Sequence, residues 1–225
     1  MGRAPRASEG GFPYLTVCRG LDGLTIFPDD EAFQAFTSIL QESLERCEPR
    51  LLAYALLPDQ WLALVVPRKD GDLSKWIGWI TSVHAMRNRH LTPDAPSRGI
   101  YERRYRSFPV QDNERILDAI LYIESLPLRL GITSDPTAYH YTSMHPRASA
   151  DSKTSNWISP PPVHLPASWE SQLREGLDNE KLAAIQKCIK RGAPYGDPVW
   201  VERMAKRFRL ESTLRPRGRP RKPTD

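Results

Sequence analysis

The sequence predicts an α+β fold: a ferredoxin-like antiparallel sheet with helices packed on one face, followed by a small C-terminal helical region and a basic tail. Three observations carry this expectation. The elements read strand, helix, strand, strand, helix, strand; the middle two strands are apolar runs split only by Pro58, Asp59 and Gln60; and the positive charge is gathered at the C-terminus. That order of elements matches an antiparallel sheet with two helices over one face, the other face being left for a ligand.

Each element has a local reason. Tyr14 to Arg19 alternates, is rich in strand formers and follows Gly10, Gly11 and Pro13, while Gly20 to Gly23 turns the chain. Asp29 and Asp30 can cap the helix on which Phe33, Phe36, Leu40, Leu44 and Cys47 form one apolar face, ending near Pro49. Leu51 to Leu57 and Trp61 to Val66 read as an antiparallel hairpin whose strands both look buried. Leu73, Trp76, Ile77, Ile80, Val83 and Met86 mark a second packing helix over Leu73 to Asn88. Ile100 to Val110 reads as a strand with interleaved aromatic and arginine side chains. Asn113 then opens a helix through Ile116, Leu117, Ile120, Leu121 and Ile123, which Pro127 stops.

Residues 1–146 are therefore expected to form the main domain, and the Ser- and Pro-rich stretch 147–168 an extended linker. A small helical region over 169–210 follows. It contains helices at Glu180 to Arg191 and Asp197 to Phe208, before a basic tail at 211–225.

Composition narrows the function. Hydrophobic residues make up 40% of the 225 and charged residues 26%, which suits a globular chain, while 21 prolines demand irregular stretches. The formal net charge of +5 is modest, but nine Lys or Arg residues against the single acid Glu211 lie between Arg203 and Lys222, a distribution suited to a polyanion. The three cysteines, Cys18, Cys47 and Cys188, have neither disulfide-framework nor zinc spacing, which fits a reducing cytoplasm. No apolar run approaches the ~20 residues that span a bilayer, so a membrane protein is not expected.

Several local signatures then coincide: YLTVCRG, IFPDDEAFQAF, LLAYALLPDQWLALVV, YERRYRSFPVQD, and YIESLPLRLGI followed by DPTAYHYTS. Over roughly residues 13–146 the chain resembles the REP-associated branch of single-tyrosine HUH transposases, and the C-terminal ESTLRPRGRPRK is similar to the tails of such proteins. The resemblance implies a nucleophile at Tyr122, which would attack a phosphodiester to form a 5′-phosphotyrosine link. It also implies a divalent ion, magnesium or manganese, held by two histidines one residue apart on the hairpin and by an Asn or Gln one turn beyond the tyrosine. Those three ligand positions fall on Gln60, Leu62 and Leu126, so the histidine pair is lost. Gln60 supplies one neutral oxygen, and Asp59 cannot substitute because neighbours on a strand point to opposite faces.

The expectation is a transposase-like protein that recognises hairpin or single-stranded DNA, with catalysis impaired or absent. An active transposase using Tyr122, with Gln60 as residual ligand, is the alternative; a scaffold for RNA or another protein is a third. Tyr122 also reads as the amphipathic edge of a helix core. Tyr101, Arg103, Arg104, Tyr105 and Arg106 could supply phosphate contacts and stacking, or form an ordinary solvated edge strand. Arg215, Arg217, Gly218, Arg219, Pro220, Arg221 and Lys222 resemble an AT-hook for A·T-rich minor grooves, against a nonspecific basic tail. The preceding helix pair could read duplex DNA in the manner of a helix-turn-helix, with Arg203, Lys206, Arg207 and Arg209 outward and Trp200, Met204 and Phe208 inward. His140, His145 and Asp135 match no metal motif, and the remaining histidines read as solvated or structural.

Overall fold

The computed structural model describes residues 8–87, 99–148 and 157–215. Its four strands, β1 (Tyr14–Arg19), β2 (Arg50–Leu57), β3 (Gln60–Val66) and β4 (Arg106–Pro109), form one antiparallel sheet in the order β2-β3-β1-β4. This is the strand order of a ferredoxin-like sheet. The turn between β2 and β3 is fixed from outside: the Pro58 carbonyl accepts from the Ile26 and Phe27 amides, and the Asp59 carbonyl from Gly20. Gly20 is required there, because a Cβ would lie 2.0 Å from the Leu24 carbonyl oxygen.

Helices α1 (Asp30–Cys47) and α2 (Asp72–Arg87) cover one face of the sheet. The Asp29 carboxylate caps α1 by accepting from the Ala32 amide at 2.9 Å, and Glu48 ends it in the left-handed conformation just ahead of Pro49. Tyr14, Leu56, Trp61 and Val65 of the sheet meet Phe36 and Leu40 of α1 and Trp76 and Ile80 of α2 in this core. The Trp76 indole donates to Ser43 Oγ at 2.8 Å and locks the two helices together. His84 is fully buried in the same layer, and its Nδ1 lies 2.7 Å from the Tyr101 hydroxyl.

The second face is not open. Helices α3 (Arg115–Glu124), α4 (Leu126–Arg129), α5 (Met144–Ala148), α6 (Trp169–Glu175), α7 (Asn179–Arg191), α8 (Pro198–Arg207) and the short α9 (Glu211–Leu214) follow, and α3, α6 and α7 share one core with this face. There Leu15, Val17, Leu64 and Phe108 pack with Ile116 and Ile120 of α3, Leu173 of α6 and Ile185 of α7. The physical reason lies in the strands: β2 and β3 are apolar on both sides, so each face needs a cover.

Three further departures have local causes. The strand expected from Ile100 shrinks to Arg106–Pro109, because Tyr101 turns its ring toward His84 and only an isolated bridge joins it to Gly20. Pro127 does not stop the tyrosine helix; α3 ends at Glu124, and Pro127 sits in the first turn of α4, where its missing amide is harmless. The described part of the Ser- and Pro-rich stretch lies against β2: Ser159 donates to the Leu51 carbonyl at 2.7 Å, and Trp157 packs on Tyr54 at 4.9 Å between ring centres. With Thr142 bridging Ala55, these residues cover what would be an exposed sheet edge.

A buried polar junction ties α3 to the later chain. Glu124, 1% exposed, accepts from Ser143 Oγ at 2.6 Å and Arg147 Nε at 2.9 Å on one oxygen, and from the Trp169 indole at 2.8 Å on the other. Further along α3, buried Asp118 accepts from the Tyr195 hydroxyl at 2.9 Å and pairs with Lys181 at 3.0 Å, while Arg115 pairs with Asp197 at 2.9 Å. Trp200, Met204 and Phe208 form a small core against Phe12, and Arg207 stacks over Phe12 and pairs with Glu9. Among the described residues no helix is long and apolar enough to cross a membrane.

Candidate nucleic-acid cleft

The second face of the sheet carries a cleft of about 530 Å³ between the start of β3, the end of β1, the α3–α4 junction and α7. Strand register builds its floor. Arg19 stands opposite Gln60 and Val17 opposite Leu62, so all four side chains share one face. Tyr122 and Leu126, one helical turn apart, form a second wall, with Leu182, Gln186 and Ile189 of α7 facing them. The fold thus gathers Gln60, Leu62, Tyr122 and Leu126 in one cavity.

Two arginines that the sequence did not single out also line it. Arg19 donates from Nε to Gln60 Oε1 at 3.2 Å. Arg129, one turn into α4, lies with its guanidinium 4.4 Å from the centre of the Tyr122 ring, donates to the Tyr122 carbonyl at 2.7 Å and reaches Ser125 Oγ at 3.3 Å. Burial pulls the Arg129 pKa below its ordinary value, with Tyr122 opposing that shift. No carboxylate lines the cleft among the described residues.

Tyr122 itself is 7% exposed, within the core layer but reaching the cavity. Both readings of this residue therefore describe one side chain: its ring packs and its edge meets the cleft. The donors at the three implied ligand positions do not suit a hard divalent ion, which needs several oxygen or imidazole ligands. Leu62 and Leu126 offer none, and the Gln60 oxygen is engaged by Arg19. Nor do His140, His145 and Asp135 gather: the imidazoles stack at 4.2 Å between centres, while Asp135 binds Thr137 and Arg174. Among the described residues no group of three or more His, Cys, Asp or Glu side chains could hold a metal.

The aromatic and arginine segment divides. Tyr101 and Tyr105 belong to the α2 side, Tyr101 bonded to His84 and Tyr105 to Ser74 at 2.8 Å through their hydroxyls. Arg103 and Arg104 are exposed at the end of the sheet. Arg106 stands opposite Val17 and hence on the cleft face, 4.0 Å from Glu102. On α8, Arg203 and Lys206 face outward with Arg209 just beyond, whereas Trp200, Met204 and Phe208 face inward. Arg215 is exposed at the last described position. Arg217, Gly218, Arg219, Pro220, Arg221 and Lys222 lie outside the described residues.

The structure thus has a βαββαβ-type antiparallel sheet with a cleft between its central strands and the helix that bears Tyr122. Solved structures give the comparison. A REP-associated tyrosine transposase bound to a REP hairpin superposes with a TM-score of 0.54 at 12% identity, covering 74% of this chain and 93% of that one. This chain has the fold of a tyrosine transposase. A candidate transposase from Deinococcus radiodurans aligns more weakly, with a TM-score of 0.39 at 16% identity over 52% of this chain and 90% of that one. No known family model and no curated protein sequence matches the chain.

Proposed function

We propose that the protein is a transposase-like DNA-binding protein that holds hairpin or single-stranded DNA at the cleft and has impaired or absent strand-cleaving chemistry. One observation carries the reading: Tyr122 and the hairpin positions still converge on one cavity, but the implied ligand positions hold Gln60, Leu62 and Leu126, and the charge comes from Arg19 and Arg129. A cavity lined by cations without carboxylates favours a polyanion, and an apolar wall beside a tyrosine suits an unstacked base. The similarly folded transposase bound to a REP hairpin supports DNA as the ligand. In the alternative of an active enzyme, a neutral phenol is a weak nucleophile and would need activation that no base in the lining supplies. The basic C-terminal segment, from Arg215 onward, adds affinity for A·T-rich duplex in this proposal.

The test is binding of labelled hairpin, single-stranded and duplex DNA across a salt series. Tighter binding to hairpin or single-stranded forms, falling steeply with salt, is expected. Equal indifference to every form, or preference for RNA or a protein, would contradict the proposal.

A further inference from the structure

The resemblance implies a metal at a place where the side chains do not fit one, and the structure offers other cations there. We infer that the guanidiniums of Arg19 and Arg129 take the electrostatic place of the divalent ion, making the cleft a metal-independent receptor for a phosphate oxyanion of DNA. The inference rests on the reading of the chain as a DNA-binding protein for the identity of the ligand, though not for its anionic character.

Position comes first. Arg19 projects from the same strand face as Val17, directly across from Gln60, the residue at the first implied ligand position, and its Nε occupies the glutamine oxygen. An ion at that oxygen would have to displace a guanidinium. Arg129 approaches from the opposite wall, immediately under Tyr122, the residue implied to meet the phosphate.

Charge comes second. A guanidinium buried in protein normally meets a carboxylate, as Arg147 meets Glu124 here. Arg129 instead binds a backbone carbonyl, a hydroxyl and the face of a ring, all neutral groups. These contacts aim the side chain without cancelling its charge. Arginine forks match two oxygens of a phosphate, and in a partly desolvated cleft such bonds are stronger than at an open surface. Gln60 positions Arg19 and Tyr122 positions Arg129, so the former metal-and-nucleophile pair becomes the frame that orients two cations. Such a site binds a phosphodiester but supplies neither a Lewis acid nor a base to break it.

The test uses the full chain with two probes: a DNA hairpin bearing a single-stranded flank, and inorganic phosphate. DNA affinity of the parent protein should be the same with magnesium or with a chelator present. Arg19→Gln, which removes one hydrogen bond within the fold, should weaken DNA binding roughly 10- to 100-fold and lower the salt slope by about one. Arg129→Lys keeps the charge while losing the fork, and should weaken binding less. Arg46→Gln, an equal charge loss on the exposed side of α1, should change little. Phosphate should raise the unfolding temperature of the parent protein but not of Arg19→Gln. Loss of DNA binding on chelation, or unchanged affinity and slope in Arg19→Gln, would overturn the inference while leaving DNA binding itself intact. Phosphate stabilisation that depends on Arg19, without binding to any DNA, would keep the anion site and refute DNA as its ligand.

Discussion

Glu124→Gln is the substitution that most severely tests how the tyrosine helix is held over the sheet. The carboxylate is 1% exposed and accepts three hydrogen bonds, from Ser143, Arg147 and Trp169, with the Arg147 side chain only 14% exposed. An amide has one acceptor oxygen. Whichever way it turns, its NH2 group confronts either the Trp169 indole or the Ser143 and Arg147 donors. Removing one partner of a buried ion pair costs about 3–5 kcal/mol. Arg147 keeps a second acceptor in the Leu52 carbonyl, which places the expected loss near the lower end, about 3 kcal/mol. For a chain of this size that is a drop of roughly 6–12 °C in Tm. Urea denaturation of the parent, Glu124→Gln, Trp169→Phe and the double variant would measure it. The two single effects should not add, since they remove members of one network. A loss below about 1 kcal/mol, or strict additivity, would refute the claim that this junction clamps α3 to the later helices.

Other outcomes follow from the same geometry. Burial lowers the His84 pKa from 6.5 to about 4, so the folded protein keeps it neutral while the unfolded chain protonates; this stability is fully present above pH 6.5 and is lost as pH falls toward 4, up to about 3 kcal/mol. Denaturation at a series of pH values should show that slope in the parent and a shallower one in His84→Gln; identical slopes would contradict it. Leu173→Ala, at a fully buried site in the core shared by α3, α6, α7 and the sheet, should cost about 2–4 kcal/mol while leaving one cooperative unfolding transition. Two separated transitions would show that the later helices fold independently. Deleting residues 215–225 should weaken binding to A·T-rich duplex more than to hairpin DNA, measured by competition; an unchanged preference would count against the AT-hook-like assignment.

The sequence revealed the sheet well because its strands obey local rules. β1 matches the expected run Tyr14 to Arg19, and the hairpin joins the two expected apolar runs, although Gln60 enters β3 and leaves Pro58 and Asp59 alone as the turn. The cover on the second face was written in those runs too, since strands apolar on both sides cannot leave one side wet, but no local pattern says which later helices supply it. Tyr101 shows the opposite case. Its neighbours alternate like a strand, yet a long-range bond to His84 decides where its ring goes. The cleft was legible where the resemblance named positions, at Gln60, Leu62, Tyr122 and Leu126. Arg19 and Arg129 escaped notice because each reads locally as the polar end of an element, and only cross-strand register and the α3–α4 turn bring them to the same cavity. An arginine at the strand end facing the altered ligand position, separated from Gln60 by a whole helix and strand, was the signal that could have been followed.

The most direct test of the central claim is to incubate the protein and Tyr122→Phe with end-labelled hairpin DNA carrying single-stranded flanks, in magnesium, manganese or chelator, and to resolve the products on native and denaturing gels. Retention of the DNA on the native gel, with no covalent adduct and no cleavage on the denaturing gel under any condition, is the predicted result. A metal-dependent adduct that disappears in Tyr122→Phe would contradict it and show that the altered cleft still performs tyrosine-mediated strand cleavage.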